Sequence, residues 1–450
     1  MLNKSLFPFL LLFIPAAALG QGGPTYRFFT SLGNIDVVLT PGNAPMTVAN
    51  FINYVNAGAY NNSIIHRSVP GFVFQGGGFQ YLNGSVVTTP TNPPVVNEFN
   101  VSNTTGTIAM AKMAGDPNSA TSQWFFNLAN NGTSADALDT TDGGYTVFGN
   151  VTSATLKVLN SIASVPIFDC SGDGGICPLT TTNSAFNTLP LSNSNYVLVT
   201  SILPVPTISQ AGVESAASFA SNLTSGIAPG ELLVIYGSSI GPSQLTTLTV
   251  NNGVVSNNLG GTQVTFDGTP APIIYTSSGQ ISVVAPYKFA GLPSVDLVLT
   301  YNGTVSNQIT LPVKPANPAI FTLNASGTGD GAIVRLDGSI VSKTSPASVG
   351  DTLLLFGEGY GVPTAATTLP DGTIIGSTLP VPAACATNCS LLIDGQTVPN
   401  LYFGGAPSLV NGVLQVNFKV PQLAPGTHQI QLSVGTPARI SPTGVTLQTK

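Results

Sequence analysis

Glycine and proline cut the chain past residue 20 into short runs, and only two of those runs keep a helical spacing of apolar residues. The 49 Gly and 35 Pro among 450 residues are too many for long helices, because glycine adds backbone entropy to be lost and proline removes a helical donor. What remains is β structure built from many short strands. Charge points the same way. Charged residues are 7% of the chain, against about 25% in an ordinary soluble protein, so helices laced with ion pairs are excluded. The apolar share of 43% is ample for cores, which leaves solubility to Ser, Thr and Asn. With 12 basic against 18 acidic side chains there is no basic stripe to neutralise phosphates, and nucleic acid is not expected as a partner. At roughly 150 residues per domain, the length suggests about three folded units.

The two helical stretches both precede residue 205. In the first, Asn43 is placed to cap a helix entered through Pro45, with Val48, Phe51, Ile52 and Val55 on one side and Gly58 beyond its end. The second begins near Thr152 and carries Leu156, Leu159 and Ile162. After residue 205 only strands are predicted, separated by turn signals such as Asp267-Gly268, Asp337-Gly338, Asp371-Gly372 and Asp394-Gly395.

The later half repeats itself. ELLVIYG from Glu231 aligns with DTLLLFG from Asp351, VTFDGTPAP ending at Pro272 with LLIDGQTVP ending at Pro399, and SVVAP ending at Pro286 with NFKVP ending at Pro421. Two copies with several short strands each predict tandem immunoglobulin-like β-sandwiches, at 205–318 and 319–450.

The first twenty residues have their own character: Lys4, an apolar run over 6–14, then Ala16, Ala17, Ala18 and Gly20. This reads as a secretory signal peptide, too short to span a bilayer, and no later stretch is apolar enough to do so. Export to a periplasmic or extracellular space is therefore expected. It makes disulfide candidates of the two close cysteine pairs, Cys170 with Cys177 and Cys385 with Cys389.

Chemistry belongs in residues 24–204. HRSVPGFVFQGGG starts at His66, GTIAMAKMAG at Gly106, ATSQWFF at Ala120 and LDTTDGGYTVFGNV at Leu138. In this order and spacing the segment resembles the cyclophilins, peptidyl-prolyl cis-trans isomerases, of the bacterial exported kind, and the later half resembles immunoglobulin-like modules of secreted soil-bacterial proteins. The resemblance implies a closed eight-stranded β-barrel with two helices over 24–204, no cofactor or metal, and proline-containing polypeptides as partners. It also implies roles. Arg67, Phe72, Gln75 and Phe125 correspond to the catalytic set. Val73, Leu138 and Tyr145 complete the proline pocket, Gln123 contacts the substrate backbone, and Met110, Ala111 and Lys112 form the edge beside the bound peptide. Val73, Lys112 and Tyr145 depart from the best-studied eukaryotic pattern, which has Met, Asn and His there.

The residue chemistry agrees with that reaction. Rotation about an X-Pro bond faces a barrier of about 18–20 kcal/mol because twisting ends amide resonance. A catalyst needs only a rigid hydrogen-bond donor beside the prolyl ring, and Arg67 is one of two arginines before residue 205. His66 tempts a catalytic-triad reading, but the chain has only two histidines, and a packed structural role is expected. The rival is a non-catalytic secreted binding or adhesion protein that recognises proline-containing peptides. Whatever the sandwiches bind, an extracellular or cell-surface ligand, carries no motif.

Overall fold

The computed structural model describes residues 23–133, 137–172, 177, 183–362, 369–376 and 388–450. The chain divides into two units, one spanning Gln21–Val205 and the other containing Pro206–Lys450.

The first unit contains strands β1 (Thr25–Thr30), β2 (Gly33–Leu39), β3 (Ser63–Ile64), β4 (Arg67–Val69), β5 (Val73–Gly76), β6 (Phe79–Leu82), β7 (Ser85–Thr88), β8 (Thr107–Met110), β9 (Trp124–Asn127), β10 (Val147–Val151), β11 (Ile167–Phe168), β12 (Leu189–Ser192), β13 (Asn195–Tyr196) and β14 (Leu198–Val205). Helices α1 (Pro45–Asn56) and α2 (Leu156–Ala163) are where the apolar spacing puts them. Eleven strands share one barrel-like sheet in the order β4-β5-β9-β8-β10-β2-β1-β14-β3-β6-β7. The count exceeds the expected eight partly because the segment from Ser63 to Val69 changes neighbours midway. The Ile65 N–H bonds Val197 of the β14 side, and the next N–H, of His66, bonds Gln75 of β5.

Aromatic rings fill the centre. Phe28 meets Trp124 edge-on at 5.3 Å, and Phe51 of α1 lies 5.2 Å from Phe148. The cap of α1 is not Asn43. Ala44 occupies that place, and the Glu98 carboxylate, far along the chain, accepts from the N–H groups of Met46 and Thr47 at 3.1 and 2.8 Å. No local pattern encodes a cap borrowed from a distant loop.

The stretch after α2 holds more structure than a plain loop. The Cys170–Cys177 disulfide is formed, and Cys170 packs with Ile64, Phe186, Leu189, Leu191 and Tyr196 in a small apolar cluster. Cys385 lies outside the described residues; Cys389 opens the strand Cys389–Ile393.

The second unit is two β-sandwiches. In the first, the sheet ordered Thr207–Ser215, Leu232–Ser238, Gln280–Val284, Ile273–Thr276, Thr246–Thr247 shares one core with the sheet built on Thr262–Phe266 and Ser294–Tyr301. The second repeats this plan, with Thr352–Glu358 and Leu414–Lys419 central in one sheet and Gly426–Val434 in the other. The repeat strings thus mark equivalent strands, Leu232–Ser238 and Thr352–Glu358. Asp267-Gly268 and Asp394-Gly395 form hairpin turns with both residues at positive φ. The strands-only expectation misses two short helical turns, Asn222–Ser225 and Tyr287–Phe289.

A third apolar cluster, including Leu232, Val284, Val334, Phe356 and Val413, joins the two sandwiches. Two carboxylates lie fully buried beside it. Glu358 accepts from Ser215 Oγ at 2.6 Å and from the N–H groups of Ala217 and Leu232. Glu231 accepts from Asn222, Asn317 and the N–H of Ala228. Burial, and for Glu231 its nearness to Glu358, pushes both carboxyls above their ordinary range.

Candidate active site

Alternation along the strands sorts the candidate residues onto two faces. Arg67 of β4 stands opposite Gln75 of β5, Gln75 opposite Phe125 of β9, Phe125 opposite Ala109 of β8, and Ala109 opposite Val147 of β10. Directly opposed residues share a face, so this row lies on one side of the sheet. The intervening residues, Phe74, Trp124, Phe126 and Ile108, point into the aromatic core.

On the outer face, Val73, Ala109, Phe125, Leu138 and Val147 form an apolar cluster separate from the core, with Phe72, Ala111 and Tyr145 half-buried against it. Tyr145 meets Phe125 edge-on at 5.7 Å, and the Arg67 guanidinium carbon sits 5.8 Å from the centre of the Phe72 ring. Gln75 Nε2 donates to Gln123 Oε1 at 2.7 Å, which fixes two amides beside Arg67. Of the expected residues, Arg67, Phe72, Val73, Gln75, Ala111, Gln123, Phe125, Leu138 and Tyr145 therefore come together. The Met110 side chain, pairing with Trp124, turns into the core, so Met110 reaches this edge through its backbone. Lys112 lies at the rim, its ammonium drawn to the carbonyls of Asp142 and Gly144.

His66 points away from this row, buried edge-on against Phe79, and its Nδ1 has no hydrogen-bond partner among the described residues. Burial lowers its pKa to about 4, so it is neutral at physiological pH, as a packed residue should be.

Leu138 and Tyr145 stand on a loop, and loops need anchoring. Buried Asn127 donates to Asn103 Oδ1 and Thr107 Oγ1 and accepts from Asn131 Nδ2. Asn131 Nδ2 also donates to the Phe72 carbonyl, and Asn103 donates to that of Tyr145. The Asp139 carboxylate accepts from Ser102 Oγ and from the side chain and N–H of Asn103. Burial alone would raise the Asp139 pKa, but these bonds outweigh it and hold the group below the ordinary carboxylate range. These positioning residues carry no signal in a sequence this rich in Asn. Among the described residues no cluster of three or more His, Cys, Asp or Glu could hold a metal ion.

An apolar cup on the outer face of a barrel-like sheet, rimmed by one guanidinium and two fixed amides, has the make-up of a ligand pocket. Residues 25–173 match the family model described as cyclophilin type peptidyl-prolyl cis-trans isomerase/CLD, and residues 221–313 match the IPT/TIG domain. Isomerase A of Dickeya dadantii is 44% identical over 140 residues, covering 30% of this chain and 69% of the relative. An Acinetobacter baylyi isomerase is 43% identical over 139 residues, 30% of this chain and 70% of the relative. Isomerase B of Escherichia coli is 38% identical over 141 residues, 31% of this chain and 83% of the relative. The chain belongs to the cyclophilin-type peptidyl-prolyl cis-trans isomerase family and is an enzyme of that class, with an immunoglobulin-like IPT/TIG domain following the isomerase unit.

Proposed function

We propose that the outer-face cup isomerises X-Pro bonds of exported proteins, with Arg67 as the donor that lowers the rotational barrier. One observation carries this reading: Arg67 and the pocket residue Phe125 stand in a single cross-strand row through Gln75, all on the outer face. The prolyl ring enters the cup made by Phe72, Val73, Phe125, Leu138 and Tyr145. As the amide twists, its nitrogen becomes pyramidal and basic, and a guanidinium N–H placed beside it stabilises that form more than the planar one. Gln75 and Gln123 hold the flanking backbone, and the backbone at Ala111 and Lys112 forms the edge along which the peptide lies. No proton is transferred in this scheme, since only a bond rotation separates reactant from product.

Export is supported by the leader-like start and by the Cys170–Cys177 disulfide, which favours an oxidising compartment. Among the described residues no helix is long and apolar enough to cross a membrane. N-terminal sequencing of protein recovered from the periplasm of a bacterial host, with processing near residue 20, tests this; unprocessed protein confined to the cytosol refutes it.

The test of the mechanism is Arg67→Ala. Deleting one preorganised donor should lower kcat/KM about 10²–10³-fold, or ~3–4 kcal/mol, while the protein remains folded. Wild-type turnover in the variant would remove Arg67 from the mechanism, and peptide binding without turnover in the native protein would favour a non-catalytic binder.

A further inference from the structure

The turn that leads into Tyr145 has an unusual backbone, with three successive residues at positive φ: Asp142 at 50°, Gly143 at 79° and Gly144 at 81°. Glycine is required at 144, where a Cβ would come within 2.3 Å of the Phe99 ring. The carbonyls of these three residues are gathered by two donors. Lys112 Nζ donates to the Asp142 carbonyl at 2.5 Å and to that of Gly144 at 2.8 Å. Asn97 Nδ2 donates to the carbonyls of Gly143 and Gly144 at 2.8 and 3.0 Å. The same ammonium lies 4.6 Å from the centre of the Tyr145 ring, within cation–π range.

Gathered carbonyl oxygens repel one another, and a compact cation with three N–H donors relieves that repulsion. Lys112 therefore behaves as a cation built into the chain. Its effect reaches the cup in one step, because the next residue, Tyr145, packs edge-on to Phe125 and donates its N–H to the Leu138 carbonyl.

We propose that Lys112 is a positioning residue for the proline pocket: its ammonium locks the turn at residues 142–144 and so holds the Tyr145 wall against Phe125. This rests on the isomerase reading and adds the element that sets affinity for the proline ring. Arg67, across the cup, handles the twisting amide. Lys112 therefore governs KM and leaves kcat nearly unchanged. The groups that face the ammonium are the carboxylates of Asp142 and Asp116 and the phenol of Tyr145. Burial holds Lys112 below the usual lysine range despite the opposing pull of the two carboxylates. The lock is thus released as pH rises, earlier than an ordinary lysine would deprotonate.

The experiment measures kcat and KM for a proline peptide by NMR exchange on the full chain. Lys112→Met should raise KM about tenfold with kcat within twofold, the pattern of lost ground-state positioning. Lys112→Arg should stay near the native KM, because a guanidinium also donates to several carbonyls and stacks on an aromatic ring. Added n-propylammonium should lower the raised KM of Lys112→Ala, and n-propanol should not. The assignment is overturned by a native KM in Lys112→Met, or by a fall in kcat that neither Arg nor the amine relieves. Should Lys112→Met fail to fold, the native protein decides: KM should climb through the alkaline range in which lysines deprotonate and stay flat in Lys112→Arg, and a native KM flat through that whole range overturns the assignment. If the native protein shows no turnover, the isomerase reading fails on its own, and the same variants are then compared by peptide dissociation constant.

Discussion

Asn127→Ala is the substitution that most directly tests whether the cup is held from behind. Asn127 is fully buried and makes three side-chain hydrogen bonds, donating to Asn103 at 3.1 Å and Thr107 at 2.8 Å and accepting from Asn131 at 2.8 Å. Thr107 Oγ keeps its bond to the Thr104 carbonyl and Asn131 Nδ2 its bond to the Phe72 carbonyl, so the Asn103 oxygen loses most. Three bonds at about 1 kcal/mol each give a loss of ~3 kcal/mol. The readout is built in. Trp124 is the only tryptophan of the chain and is fully buried, so its fluorescence follows the first unit alone. With a urea slope of about 1–3 kcal/mol per molar, the midpoint should fall by roughly 1–3 M. KM should rise as well, because the Asn131 carbonyl receives the Leu138 N–H and Asn103 binds the Tyr145 carbonyl. A midpoint within about 0.3 M of the native protein, with unchanged KM, would show that the network does not support the pocket.

Other outcomes follow from the same contacts. Residues 24–204 expressed alone should fold and isomerise a proline peptide and 205–450 should not, since the first unit closes at Val205 and holds the whole cup; activity found only in the full chain would contradict this. The two units should respond to pH in opposite directions. His66 is held neutral to about pH 4 when folded but protonates near 6.5 when unfolded, so the first unit keeps its full stability above 6.5 and loses up to ~3 kcal/mol as pH falls toward 4, read from Trp124 fluorescence. Glu231 and Glu358 have raised pKa values, so the folded sandwiches retain protons that the unfolded chain releases, and their stability should decline as pH climbs above the ordinary carboxylate value. Urea midpoints from circular dichroism of residues 205–450 at pH 5 and pH 8 check that sign.

What could be read from the sequence depended on whether a feature is local. Both helices were legible because their apolar residues recur along a single segment, and the sandwich strands because Glu231 and Asp351 open matching strings. The Glu98 cap on α1 was not legible, since donor and acceptor lie about fifty residues apart. The outer-face residues could be named from motifs, but not which side chain of a motif faces outward. A motif lists neighbours in sequence, whereas alternation sends Met110 inward while Ala109 faces the cup. Strand number is hard to read for a related reason: it depends on which neighbour each N–H finds, as at Ile65 and His66.

The sparse charge that first ruled out helical bundles also explains how the parts are fixed. With few ion pairs to draw on, the chain sets geometry with neutral donors: Asn103, Asn127 and Asn131 behind the cup, and Ser215, Asn222 and Asn317 around the two glutamates. Such bonds contribute little net stability when satisfied and cost much more when one partner is removed. They act as registers, permitting one packing and penalising its neighbours. Lys112 follows the same logic with a charge, its ammonium gathering the carbonyls of Asp142 and Gly144 beside the neutral amide of Asn97. Substitutions at these positions should therefore disturb ligand affinity and sandwich docking well beyond what their small apolar areas would suggest.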